Sequence, residues 1–213
     1  MAGPVMNKGK RLAGLLLGML LLSACGGGAP SAPPAYDLEG ARIGGPFTLT
    51  DQDGHQVRWA DFDGQYRLVY FGYTFCPDVC PLDLIEITQG LRQFEKSDPA
   101  KARRIQPIFI TVDPQRDTPA VLKRYVTALH PRLIGLTGTP EEIERVKKAF
   151  AVVSSKEGDP AATKDYLVSH SRTPFLFDPE GKPIALVPVN DGSGAPDAAG
   201  REGVHAFLEK WVR

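Results

Sequence analysis

The period of the apolar positions changes along this chain, and each change marks an element. Apolar residues run continuously from Leu68 to Tyr73, the pattern of a strand buried on both faces. A second such run extends from Ile105 to Val112. Between them Leu84, Ile87, Leu91 and Phe94 recur at helical spacing, interrupted only by Gly90. Strand, helix, strand in that order is a βαβ unit with parallel strands. Upstream, Phe47-Thr48-Leu49-Thr50 and His55-Gln56-Val57-Arg58-Trp59 flank Asp51-Gln52-Asp53-Gly54, a hairpin in which Gly54 supplies a positive φ. Downstream, Phe175-Leu176-Phe177 and Ile184-Ala185-Leu186-Val187 flank Asp178-Pro179-Glu180-Gly181, a second hairpin.

Helix starts are marked by threonine followed by proline. Thr118-Pro119 opens a helix running to about Leu129. Thr139-Pro140 repeats the device, and Glu142 completes a capping box with Thr139. A closing helix is expected over Glu202 to Val212, and a mobile loop over Asn190 to Gly200. No internal repeat is visible. A βαβ half followed by a ββα end is the thioredoxin plan. The expected fold class is therefore α/β and thioredoxin-like, with the first hairpin and the helix at Thr118–Leu129 as additions.

The N-terminus reads differently. Lys8, Lys10 and Arg11 precede a short apolar stretch, Leu12 to Leu22, which is too short for a comfortable membrane span. It ends in Leu22-Ser23-Ala24-Cys25, which resembles a bacterial lipoprotein signal cut before a lipidated Cys25; an ordinary secretory signal is the plainer alternative. The expectation is a lipid-anchored protein of the bacterial cell envelope, facing the periplasm or the cell exterior. Residues 26–35, GGGAPSAPPA, form a tether in which glycine gives flexibility and proline extension. The chain thus divides into a signal (1–24), a tether (25–35) and one folded domain (36–213), in keeping with its 213 residues.

Composition narrows the chemistry. Three of the 25 basic side chains and none of the 25 acidic ones lie in residues 1–24, so the remainder is mildly acidic. No basic patch suggests nucleic acid or adhesion to anionic lipid, and any anchor would be acyl chains. With Cys25 lipidated, the remaining cysteines are Cys76 and Cys80. Met1, Met6 and Met19 all lie in the removed segment. A soft-metal site in the rest of the chain must therefore use those two sulfurs and His55, His130, His170 or His205.

Proline placement suggests how the pair sits. Pro77 and Pro81 push the preceding cysteines toward extended backbone, so Cys80 is expected at the N-cap of a helix beginning at Pro81. Both sulfurs then face the positive helix end, which favours thiolates. Three readings follow. A permanent disulfide would close a very short loop for little entropic gain in a domain large enough not to need it. Thiol–disulfide exchange usually uses C-x-x-C, one residue shorter than this spacing. Metal binding suits two soft thiolates, with Cu(I) or zinc completed by a histidine. His170, in LVSHSRTPFLF, lies in a polar loop that the thioredoxin plan brings toward the first helix. His55 falls in a hairpin turn, His130 after a helix end where the dipole accounts for it, and His205 in the closing helix without a functional case.

FGYTFCPDVCP, VDPQRDTP and HSRTPFLFDPEG, in that order, resemble the Sco/SenC copper chaperones over residues 36–213. The resemblance implies a membrane-anchored, thioredoxin-like domain that binds one copper. By it Cys76, Cys80 and His170 are the metal ligands, Cys76 and Cys80 form a disulfide when oxidised, and the protein is a carrier and not an enzyme. It implies delivery of copper to subunit II of cytochrome c oxidase, or to another copper-accepting envelope protein. A thiol–disulfide oxidoreductase or redox sensor using the same cysteines is the alternative. The chain departs from the family at Phe75, where histidine is usual, at Ser169, where aspartate usually precedes the ligand histidine, and at Pro174, in a stretch that is usually apolar. Asp113 is a candidate neighbour of the site, or shapes the turn with Pro114.

Overall fold

A computed structural model describes residues 37–159, 165–190 and 200–213, besides Met1 and Gly3. The expected signal, Cys25, the tether and most of the Asn190–Gly200 loop lie outside the described residues. The chain divides into residues 1–33 and 34–213, and the fold is that of the second unit.

The two apolar runs form β3 (Tyr66–Gly72) and β4 (Ile105–Thr111), paired in parallel from Tyr66 opposite Ile105 to Gly72 opposite Thr111. Every residue of β3 is buried, as its apolar run from Leu68 onward requires; the one charged member, Arg67, is buried with its guanidinium paired to Asp63. The first hairpin is β1 (Thr48–Asp51) with β2 (Gln56–Arg58), and Gly54 has φ 87° in its turn. The last is β8 (Phe175–Phe177) with β9 (Pro183–Leu186). A further strand, β5 (Ile134–Thr137), lies parallel to β4 and antiparallel to β1. The sheet order is β2-β1-β5-β4-β3-β8-β9. The thioredoxin-like α/β fold is thus present, with the first hairpin extending the sheet edge.

The helices are α1 (Val79–Ser97), α2 (Pro99–Ala102), α3 (Pro119–Leu129), α4 (Pro140–Ala149) and α5 (Gly200–Trp211). Thr118 caps α3, and Thr139 with Glu142 forms the capping box of α4. Gly90, the interruption in the amphipathic pattern of α1, has a packing reason. A Cβ there would lie 2.6 Å from Val204 and 2.8 Å from the Arg201 carbonyl oxygen, so the glycine lets α5 lie directly against α1. Beneath β3, the Phe150 ring packs against Trp59, Phe71 and Phe177 at centroid distances of 5.3–5.5 Å.

A second, two-stranded sheet pairs β6 (Ser154–Glu157) with β7 (Leu167–His170), and it hydrogen-bonds to no strand of the main sheet among the described residues. His170 therefore ends a strand, where the sequence suggests a loop. The partner strand Ser154-Ser155-Lys156-Glu157 is polar and mostly exposed, so no hydrophobic alternation announced it.

Candidate metal centre

The carboxyl ends of β3 and β4 are where a parallel sheet presents its ligand-binding crevice. Beyond β3 the chain turns through Tyr73–Pro77 into α1, carrying both cysteines. The helix begins at Val79, with Asp78 at the N-cap, two residues earlier than the prolines suggest. Pro81 is accommodated inside the first turn because the first four helical N–H groups lack intrahelical partners. Cys80 is consequently a helical residue, fully buried, and Cys76 is half-buried in the loop. Gly72 makes room for them: a Cβ there would lie 3.2 Å from the Cys80 sulfur and 2.9 Å from the Tyr70 ring.

Cys76 Sγ, Cys80 Sγ and a ring nitrogen of His170 lie within 4.8 Å of one another, and both cysteines are free thiols. His170 Nε2 is 2.9 Å from Cys80 Sγ. Its Nδ1 is 2.9 Å from the Ser171 carbonyl oxygen, which can only accept. The proton is thus on Nδ1, and the Nε2 lone pair faces the sulfurs. Tyr70 and Tyr73 stand edge-on to the imidazole, at 6.4 and 6.0 Å between centroids. Burial holds the His170 pKa below its ordinary value, which keeps the ring neutral and able to ligate. Burial also pushes the Cys80 thiol well up, overriding the helix field that the sequence reading invoked. In this state Cys80 is a protonated thiol, and a metal must displace its proton.

The remaining predicted residues fall away from the ligands. Asp113 accepts from Tyr166 Oη at 2.7 Å and from Arg116 Nε at 2.5 Å, and its carbonyl receives the Asp117 amide at 3.0 Å. It shapes the turn and contacts no ligand atom. Phe75 is half-exposed, with the Arg116 guanidinium 4.9 Å over its ring. Ser169 bonds to Ser155 Oγ at 2.8 Å, on the face of β7 opposite His170. The hydrogen bond that orients the His170 ring is accepted by the Ser171 carbonyl. His55 is exposed beside Asp51, buried His130 bonds to Glu95, and His205 bonds to Ser97.

Two buried carboxylates escaped the sequence reading. Asp117, fully buried, accepts from Thr74 N at 3.1 Å, Thr74 Oγ1 at 2.6 Å and Thr111 Oγ1 at 2.6 Å, fixing the loop that leads to Cys76. Asp83, 1 % exposed, accepts from Tyr70 Oη at 2.8 Å and from Arg172 at 2.7 and 3.1 Å. The available signals were the position of Asp83 one helical turn after Cys80 and that of Asp117 within VDPQRDTP.

A SCO1/SenC profile matches residues 36–199. The chain belongs to the SCO1/SenC family. Its relatives include yeast (Saccharomyces cerevisiae) "Protein SCO2, mitochondrial", 39 % identical over 171 residues, which are 80 % of this chain and 56 % of that protein. "Protein SCO2 homolog, mitochondrial" of Bos taurus is 46 % identical over 145 residues, 68 % of this chain and 53 % of that one. The chain therefore spans about half the length of these SCO relatives. Copper-bound ScoI of Bradyrhizobium japonicum matches with a TM-score of 0.67 and 37 % identity, over 79 % of this chain and 99 % of that one. The yeast and bovine names correct the expectation of a bacterial cell-envelope location. The physical reason is that basic side chains without acidic ones, the charge pattern of residues 1–24, occur in secretory and mitochondrial targeting segments alike. Among the described residues no helix is long and apolar enough to cross a membrane.

Proposed function

We propose that this SCO1/SenC protein carries one copper ion on Cys76 Sγ, Cys80 Sγ and His170 Nε2, and delivers it to the copper site of cytochrome c oxidase subunit II. The observation that carries this reading is the convergence of the two sulfurs and a ring nitrogen of His170 within 4.8 Å of one another. With Nδ1–H committed to the Ser171 carbonyl, the Nε2 lone pair points at Cys80 Sγ, 2.9 Å away. Two thiolates and a neutral imidazole form a soft, low-coordinate set suited to Cu(I). The ScoI relative solved with copper bound supports the choice of metal.

Copper is cargo here, and the protein acts as carrier and not as enzyme. Binding replaces the thiol protons, which leave to solvent, while His170 stays neutral throughout. Release starts on the Cys76 side, because Cys76 is half-buried and Cys80 is enclosed. Oxidation of the two thiols to a disulfide removes two electrons and two protons and destroys the ligand set, so the oxidised form does not bind.

The same cysteines support a second reading, thiol–disulfide exchange with Cys76 as the accessible attacking thiol. The two readings differ over His170. His170→Ala should weaken Cu(I) binding by at least about 10–100-fold, the range seen when even a supporting group is lost. The same variant should still cycle the Cys76–Cys80 disulfide and fail to restore oxidase assembly in cells lacking the protein. Normal assembly by His170→Ala alongside failure of Cys76→Ser would replace the carrier reading with the exchange reading.

A further inference from the structure

The three ligand atoms reach the centre by unequal routes. Cys76 lies in the short connection between β3 and α1, and Cys80 follows it in the first turn of α1. His170 arrives 90 residues later on β7, in a small sheet that pairs with no strand of the main one among the described residues. The sheet ladder therefore does not hold the histidine against the cysteines. Side chains on either side of it do. Two residues before His170, the Val168 amide donates to Tyr73 Oη at 3.2 Å. Two residues after it, Arg172 donates to Asp83 from Nε at 3.1 Å and from Nη2 at 2.7 Å.

These two ties are not equivalent. The first joins a neutral phenol and a backbone amide. The second is a bidentate ion pair, stronger and more restrictive in direction. Asp83 follows Cys80 by three residues on α1, so the two share a helix face. The ion pair thus joins the strand end bearing one ligand to the helical turn bearing another. Asp83 also accepts from Tyr70 Oη, and the Tyr70 ring is one of the two walls standing edge-on to His170. One carboxylate therefore holds both the segment that carries the imidazole and a ring that limits its tilt.

We propose that the Arg172–Asp83 pair is a latch that positions His170 for metal ligation, acting on the histidine and not on the cysteine pair. The inference rests on the copper-carrier reading. Arg172 is a positioning residue, since it touches no ligand atom that the structure records. The cost of leaving the buried Asp83 unpaired is partly relieved by Tyr70, and the Arg172 side chain is 30 % exposed, so its replacement is tolerable to the fold.

The test is a double-mutant cycle on the full chain, reduced and titrated with Cu(I) against a chromophoric chelator. Arg172→Gln should weaken Cu(I) binding by about 10-fold, the low end for a group that orients a ligand. Asp83→Asn should give a similar loss from the other side, and Arg172→Lys, which keeps one bond of the pair, should recover part of it. In a His170→Ala background, Arg172→Gln should change the affinity by less than about twofold, because its target is already gone. Nitrogen hyperfine coupling in the Cu(II)-loaded protein should weaken in Arg172→Gln while the sulfur-to-copper absorption persists. Wild-type affinity in Arg172→Gln, or an equal loss in both backgrounds, overturns the latch. Unchanged affinity in His170→Ala alone instead overturns the three-ligand carrier reading. Arg172→Lys and Asp83→Asn carry the cycle if Arg172→Gln does not fold.

Discussion

Removing the carboxylate of Asp117 should loosen the loop that carries Cys76, by an amount that can be worked from its partners. Asp117 is fully buried and takes hydrogen bonds from three donors: the Thr74 amide, the Thr74 hydroxyl and the Thr111 hydroxyl. Asp117→Ala leaves all three without that acceptor. A buried donor left unpaired costs about 1–3 kcal/mol. The low end applies, because hydroxyls can rotate, because Thr111 Oγ1 keeps its bond from the Asp113 amide, and because an expensive buried charge is lost at the same time. The three together come to about 3 kcal/mol. For a domain of this size each kcal/mol lowers Tm by about 2–4 °C, so the metal-free variant should melt roughly 6–12 °C below wild type. Asp117→Asn keeps one acceptor oxygen and should lose about 1 kcal/mol. Thermal unfolding followed by circular dichroism reads both. A Tm for Asp117→Ala within a degree of wild type would refute the view that this carboxylate anchors the loop.

Three further outcomes are expected. Burial depresses the His130 pKa, so its share of stability is fully present above the unfolded value near 6.5 and is lost as pH falls from there through the folded value; urea midpoints should drop more between pH 7.5 and 5.5 for wild type than for His130→Gln, and parallel curves would contradict this. Gly72→Ala should cost about 1–3 kcal/mol and also weaken Cu(I) binding, because the new Cβ meets the Tyr70 and Phe109 rings as well as the Cys80 sulfur; a stable variant with unchanged affinity would show that the space is not needed. Thr139→Ala should lose about 1 kcal/mol in chemical denaturation through the broken capping box on α4, with copper binding unaltered.

How well each element could be read depended on what fixes it. The strands β3 and β4 are buried on both faces, and the caps of α3 and α4 are local chemistry, so both signals are written in consecutive residues. The Ser154–Glu157 strand is held by pairing with β7 and by no apolar face, so it left no pattern. α1 starts two residues before the position that Pro81 suggests, because proline's effect on the preceding residue is outweighed where the spare N–H groups of a first turn tolerate it. The electrostatics of Cys80 likewise depend on more than local sequence. A helix field acts from sequence position, whereas the desolvation that raises the Cys80 pKa comes from the tertiary burial of the sulfur, against which Gly72 leaves no room for a side chain. The meeting of His170 with the cysteines was suggested by the fold plan and the family resemblance. The groups that hold it there, Arg172 with Asp83 and Ser171 with Nδ1, involve contacts that no spacing rule encodes.

A carrier of this design holds its copper on two sulfurs and one nitrogen. X-ray absorption at the copper edge of the reduced, Cu(I)-loaded protein measures that set directly. Two sulfur scatterers and one imidazole nitrogen per copper are expected in wild type, with the nitrogen absent in His170→Ala. A wild-type spectrum with sulfur alone, or one unchanged by His170→Ala, would contradict that ligand set.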